Sequence, residues 1–311
     1  MKGPCAWMTA ALAAVLAGGA AAGAAMAKDA AGREVVLPAP ARRVVSLAPH
    51  ATELIFAAGG GRALVAVDRD SDYPPPVQPL PRVGDGTRPD AERLLAMRPD
   101  LVVAWAYASP AAPGSLPGLL DQFRIPVYYS SPRRLEDIPD EIERLGELLD
   151  TSGEARAAAA QLRERLRALA ARYAGQRPVR VFYQVGARPM YTISGRSIIS
   201  DALRLCGAIN VFAELPAVAP LISSESVLHA GPEAIAIGQT GTAAEQEVEK
   251  WRAFGPALRA APDHIWTLDP DTMHRPGPRM IEATERLCER IDAVRGDQPA
   301  ARAPEPPPLH R

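Results

Sequence analysis

Residues 151–175, "TSGEARAAAAQLRERLRALAARYAG", set the tightest limit on the fold. Leu162, Leu166, Leu169 and Tyr173 fall at i, i+4, i+7 and i+11, one helical stripe, and arginines fill the other faces. From Gly153 to Ala174 such a helix runs about 33 Å, long enough to cross a small domain. On both sides of it, short apolar runs alternate with amphipathic stretches. Before it, strands are expected at 43–47, 63–67, 101–105 and 125–130, with helices at 50–59, 89–100 and 135–149. After it, from Pro178, strands are expected at 179–185, 233–237 and 264–268, with helices at 197–207, 245–254 and 278–294. This alternation implies parallel α/β layers. The expected fold is α/β: two lobes, 43–150 and 178–294, joined by a single long helix at 151–175, with a ligand cleft between them. Ligands of open α/β sheets bind beyond the carboxyl ends of the strands. Tyr73, Trp105 and the 269–275 loop each closely follow an expected strand, so they are candidates for one cleft.

The two ends of the chain are of a different kind. "MKGPCAWMTAALAAVLAGGAAAGAAMA" (1–27) has Lys2 at its front, an Ala/Leu/Val run, and Ala25-Met26-Ala27 at its end. It reads as a secretory signal cut before Lys28. An uncleaved membrane anchor is the alternative, but the Ala/Gly content makes the run weakly apolar. Cys5 precedes the apolar stretch, where a lipid-acceptor cysteine would not sit. At the other end, "DQPAARAPEPPPLHR" lacks apolar periodicity, so 295–311 is expected to be a disordered tail.

Export leaves Cys206 and Cys288, an even pair in an oxidising compartment, and a disulfide is the natural reading. On the chain-entropy model it stabilises by about 4 kcal/mol. A net charge of −1 argues against nucleic acid, which needs a basic face.

One loop asks for a ligand. In "DSDYPPP" (70–76) the prolines fix φ and lack N–H donors, so the segment is neither helix interior nor central strand. Tyr73, ahead of Pro74, is pushed toward an extended backbone. A stiff loop then holds an aromatic ring at a set angle, as a core plug or as a wall for a flat ligand.

At these residues the chain resembles the periplasmic cobalamin-binding proteins of ABC importers, within the helical-backbone class of substrate-binding proteins. The matching stretches are "RVVSLAPHATEL" (43–54), "SDYPP" (71–75), "AERLLAMRPDLVVAW" (91–105), "CGAINVF" (206–212) and "HRPGPRMIEATERLC" (274–288). The resemblance implies a monomeric periplasmic receptor that binds a corrinoid and meets an ABC permease dimer in the inner membrane. The bound corrinoid would be cargo; no cofactor and no resident metal are implied. Tyr73 and Trp105 would face the corrin from the first lobe and Phe212 from the second. Asp271, Thr272, Met273, His274 and Arg275 would form a loop reaching the corrin amides. Glu92 and Glu225, one per lobe, would meet permease arginines, and Cys206 and Cys288 match the family's second-lobe disulfide. Two departures stand out: Gly86 and Ala219 occupy positions where the family's best-known member carries tryptophans, and the family's glycine pair is reduced to Gly207-Ala208. Haem and ferric siderophores are the alternative cargoes in this class.

Plainer readings exist for each residue. Tyr73 and Trp105 could be core aromatics, Asp271 and Arg275 a surface ion pair, and Glu92 and Glu225 ordinary solvated acids. His50 and Glu53 lie three apart on one helical face, and His274 adjoins Arg275, so either histidine could be an axial ligand to a bound chelate. There is no HExxH, no Cys/His cluster, no G-x-S-x-G elbow, no P-loop and no G-x-G-x-x-G after a strand. A binding protein is expected, not an enzyme.

Overall fold

The computed structural model describes residues 23–86, 88–106 and 116–296. Most of the expected leader, Cys5 and the tail from 297 lie outside that range. The described chain opens with a hairpin, β1 (Ala25–Lys28) antiparallel to β2 (Glu34–Leu37), with Ala25 opposite Leu37 and Ala27 opposite Val35. Strand alternation turns those four side chains inward and Met26 and Val36 outward. The expected signal segment therefore overlaps a paired strand at Ala25–Ala27, and the first lobe begins before residue 43. Alanine has little strand preference of its own; burial against β2 and the helix beneath supplies it.

The first lobe continues through β3 (Val44–Ser46), α1 (Pro49–Ala57), β4 (Leu64–Val67), α2 (Ala91–Ala96), β5 (Leu101–Trp105), α3 (Leu116–Gln122), β6 (Val127–Ser130) and α4 (Asp137–Leu149). Its sheet is parallel, in the order β4-β3-β5-β6. The connecting helix is α5 (Ser152–Tyr173). The second lobe holds β7 (Val179–Gln184), the small antiparallel pair β8 (Gly186–Ala187) and β9 (Met190–Tyr191), α6 (Ile198–Leu205), β10 (Ala208–Asn210), α7 (Ser224–Ala230), β11 (Ala234–Ile237), α8 (Gly241–Arg252), β12 (Ile265–Thr267) and α9 (Pro270–Met273). Its parallel sheet runs β10-β7-β11-β12, and α10 (Pro278–Gly296) closes the chain.

The strand order of each sheet reverses once, between β3 and β5 in the first lobe and between β7 and β11 in the second. Connections part on either side of such a point and leave a crevice at the strand ends. Trp105 ends β5, Gln184 ends β7 and Gly238 follows β11, so both switch points carry polar or aromatic groups.

α5 keeps the expected stripe: Leu162, Leu166, Leu169 and Tyr173 are all buried. Its arginines bind both lobes. Arg163 forks onto Asp140 and Glu143 of α4, and Arg165 pairs with Glu285 of α10. The Cys206–Cys288 disulfide joins the end of α6 to α10 with Cα atoms 4.7 Å apart. Gly207, at φ +69°, takes the left-handed turn after α6, while Ala208 is already extended in β10. The turn needs glycine only at 207, so the lost second glycine costs nothing.

Besides the hairpin β1–β2, the pair β8–β9 and the short helix α9, the elements α3, α7 and β10 were not expected from the sequence. α3 carries Pro117 and Gly118, α7 buries only Val227, and β10 is a short edge strand. α2 is shorter than 89–100 because Asp90 caps it, accepting the Arg93 N–H at 3.0 Å. The helix expected at 245–254 begins earlier, at Gly241.

Candidate functional site

Trp105 closes β5 in register with Ser130 at the end of β6. Its half-buried indole packs on the core and meets the His50 imidazole edge-on, centroids 4.4 Å apart. His50 lies in the first turn of α1 and is wholly buried. Its Nε2 is 3.0 Å from Ser130 Oγ, and the Ser130 hydroxyl donates to Glu141 Oε2. With its one proton committed to Glu141, Ser130 accepts from His50 Nε2–H, and His50 Nδ1 has no partner. The Ser131 N–H donates to Glu141 Oε1 at 3.0 Å. Glu141, Ser130 and His50 form a buried relay that sets the angle of Trp105.

Burial acts on the two ends of this relay in opposite senses. It pushes the Glu141 carboxyl up to about 7, against its bonds from Ser130 and Ser131, and pushes His50 down to about 3. Folded Glu141 holds a proton that the unfolded chain releases near pH 4.5, so its contribution is full below that pH and is lost as pH rises through about 7. His50 works the other way: its contribution is full above about 6.5 and is lost as pH falls toward 3. The two oppose each other across mildly acidic pH. Replacing Glu141 with glutamine removes one of them. The stability difference between that variant and the parent is expected to rise by about 3 kcal/mol from pH 4.5 to 7, near 1.4 kcal/mol per unit. Urea unfolding of both proteins across that range measures it, and a flat difference would contradict the relay.

The Tyr73 loop is bolted from below. Ser71 donates to Asp68, the Thr52 hydroxyl lies 2.8 Å from both Ser46 and Ser71, and Gln78 Nε2 donates to the Asp72 carbonyl at 2.7 Å. Val77 is fully buried in the short turn Pro75–Val77. The Tyr73–Pro74 peptide is cis. Tyr73 itself remains 42% exposed, so it is not a core plug.

One face of that ring is covered from the other lobe. The Arg279 guanidinium of α10 lies 4.1 Å from the Tyr73 centroid. The same guanidinium forks onto Glu53 of α1, Nε to Oε2 at 3.1 Å and Nη2 to Oε1 at 2.6 Å. Only 3% of the Glu53 side chain is exposed. Burial raises the Glu53 pKa, and the Arg279 pair opposes that without cancelling it. Beside it, Arg275 bonds Asp72 across the same gap and pairs with Asp271 at 2.6 Å. A continuous run of contacts thus crosses the junction, from Asp271 and Arg275 through Asp72, Tyr73, Arg279 and Glu53 along α1 to His50 and Trp105.

The 271–275 stretch does not act as one ligand-facing loop. It is the short helix α9 and its exit, and two consecutive residues, Thr272 and Met273, turn inward. Met273 is 1% exposed and belongs to the core, and buried Thr272 back-bonds to the Asp269 carbonyl at 3.0 Å. Asp271, His274 and Arg275 keep surface. His274 Nε2 is engaged by the Tyr183 hydroxyl at 3.0 Å, and burial lowers its pKa. Gly238 makes room for that contact: a Cβ there would lie 2.5 Å from His274 Nε2 and 2.6 Å from the Tyr183 oxygen. Phe212, half-buried beyond β10, stacks edge-on against Phe182 at 5.8 Å. That anchors one edge of its ring to the second-lobe cluster that also holds Trp251.

Gly86 cannot carry a side chain on this backbone, since its Cβ would sit 2.5 Å from the Leu47 carbonyl oxygen. The thinner aromatic wall is therefore built into the loop path. Ala219 is exposed on the second lobe. Glu92 and Glu225 are both exposed in the first turns of α2 and α7, one per lobe. The Ser223 hydroxyl holds the Glu225 carboxyl below its usual range. Among the described residues, no group of three or more His, Cys, Asp or Glu side chains could hold a metal ion. Sequence reasoning missed Arg279, Asp72 and Glu141 as site groups and took Glu53 only as a neighbour of His50. No local pattern links Glu53 to an arginine in the last helix.

Two parallel α/β lobes bridged by one helix, with an aromatic and charged junction at their strand ends, define a substrate-binding receptor. The periplasmic binding protein family model matches residues 44–272, and the chain belongs to that family. Over 256 residues it is 38% identical to the vitamin B12-binding protein of Vibrio parahaemolyticus, covering 82% of this chain and 91% of that one. It is 37% identical over 251 residues to the vitamin B12-binding protein of Photorhabdus laumondii, covering 80% and 88%. The crystal structure of the periplasmic vitamin B12 binding protein of Vibrio cholerae superposes with a TM-score of 0.75 at 36% identity, covering 83% and 99%. A periplasmic heme binding protein from Pseudomonas aeruginosa gives 0.70 at 26% identity, covering 83% and 94%. Membership makes this a periplasmic binding protein, not an enzyme.

Proposed function

We propose that this receptor captures cobalamin or a related corrinoid between its lobes and delivers it to an inner-membrane ABC transporter. The likeness to two vitamin B12-binding proteins across both lobes carries the reading. The junction suits the cargo. A broad, flat, largely uncharged ring needs aromatic faces and a few orienting polar groups. Tyr73 and Trp105 supply the faces, Asp271 and Arg275 the polar contacts, and Phe212 closes from the second lobe. The corrinoid is transported and takes no part in chemistry here. Titration of the purified receptor with cyanocobalamin, cobinamide and haem, followed by visible absorbance, is expected to show corrinoid binding. Haem binding with no corrinoid response would replace the cargo. Against haem, the His50 ring is sealed in the core and His274 Nε2 is engaged by Tyr183.

Delivery follows from the same layout. The monomer would dock on a permease dimer with Glu92 against one half and Glu225 against the other. α5, tied to both lobes through Arg163 and Arg165, limits closure to a small rocking motion. Release comes when the permease pries the lobes apart through these two acids. Charge reversal at both Glu92 and Glu225 is expected to block uptake into cells while leaving corrinoid affinity at the parental value. Loss of affinity instead would remove the docking role.

A further inference from the structure

We infer that the signal segment is cut upstream of its last A-x-A triplet, at the Ala22–Gly23 or the Ala24–Ala25 bond, so that β1 belongs to the mature receptor. Three A-x-A triplets, the pattern a signal peptidase reads, follow the apolar run: Ala20-Ala21-Ala22, Ala22-Gly23-Ala24 and Ala25-Met26-Ala27. The enzyme meets an unfolded chain, so all three are competent chemically. Gly18-Gly19 closes the apolar run, and the first two triplets lie nearer to it.

The three differ in what they leave behind. Ala25 and Ala27, 6% and 4% exposed, sit in the main core together with Val35 and Leu37, and β1 packs directly on α4. Asp29 bolts the turn: its Oδ1 accepts the N–H groups of Ala31 and Arg33 at 2.8 and 2.9 Å, and Arg33 forks onto Oδ2. Arg33 also lies over the Tyr129 ring at 4.3 Å, and the Ala30 N–H donates to the Tyr129 carbonyl at 3.0 Å. The hairpin therefore covers β6, the last strand of the first sheet, an edge that would otherwise offer unpaired groups. A cut before Lys28 removes Ala25 to Ala27, strips the partners of Val35 and Leu37, and leaves of β1 only the Lys28–Glu34 pairing. Either upstream cut keeps the strand whole. A cut at Ala22–Gly23 places the new α-ammonium on Gly23, which is exposed, and keeps exposed Ala24 ahead of the strand.

The inference rests on export and is independent of the cargo. Expressed with its own leader and recovered from the periplasm, the receptor is expected to begin at Gly23 or Ala25 by intact mass and N-terminal sequencing. A start at Lys28, or an uncut leader, would overturn it. Chains made to begin at Gly23 and at Lys28 give a second measurement. The shorter chain is expected to unfold at a lower urea concentration, and equal midpoints would overturn the claim that β1 is part of the folded receptor. Corrinoid titration of the longer chain reads the cargo separately, so failure of one does not imply failure of the other.

Discussion

Replacing Arg279 with alanine is expected to destabilise the receptor by about 3–5 kcal/mol, the range for removing one partner of a buried ion pair. The loss comes chiefly from what stays behind. Glu53, with 3% of its side chain exposed, would lose its hydrogen-bonded cation, leaving only the unbonded Arg275 to offset its charge. Half-exposed pairs such as Arg286–Glu282 give a scale for comparison, since their removal costs at most about 1 kcal/mol. Two controls separate the cause from simple loss of packing. Glu53→Gln combined with Arg279→Ala should recover part of the stability, because a neutral amide tolerates burial better than a lone carboxylate. The Arg279→Ala loss should also shrink at lower pH, as burial already raises the Glu53 pKa and protonation then removes the stranded charge. A double-mutant cycle in urea measures the coupling. A coupling near zero would mean that the pair is not what joins α1 to α10.

Much of this architecture is written in local periodicity, and the parts that were misjudged are those where it fails. Leu162, Leu166, Leu169 and Tyr173 announce α5 because a helix facing two lobes must be apolar along one line. The runs "LVVAW" and "VRVFY" announce parallel strands because they are buried on both faces. β1 is hidden because "AMAK" follows an alanine-rich stretch and resembles it, and only its pairing with β2 makes it a strand. Tyr73 stood out because three prolines cannot be buried inside an element. Thr272 and Met273 were carried over with the whole stretch, and nothing in the sequence signals that the short helix α9 turns these two neighbours inward. Glu53 and Arg279 were not paired because nothing in either helix points to the other; the fold alone brings them together. Cys206 and Cys288 needed no geometry, being the cysteines that remain once the leader is set aside.

The largest effect on binding is expected from Tyr73→Ala combined with Trp105→Ala. If each ring covers one part of a flat corrinoid, each contributes about 1.5–3 kcal/mol through burial. Together they account for about 3–6 kcal/mol, roughly a hundred- to twenty-thousand-fold in Kd. The two substitutions should differ in their side effects. Tyr73 is 42% exposed, so its removal forfeits little packing beyond the Arg279 contact, worth about 0.5–1 kcal/mol at such a site. Trp105 packs on the core and against His50, so its removal should also lower the unfolding midpoint. Tyr73→Ala is therefore the cleaner probe, and on the proposed clamp, which uses the ring face and not the hydroxyl, Tyr73→Phe should bind nearly as the parent does. Calorimetric titration with cyanocobalamin, on variants whose circular dichroism matches the parent, measures each step. Additive losses would place the two rings on the ligand independently, whereas parental affinity in the double variant would remove the aromatic clamp from the account of this receptor.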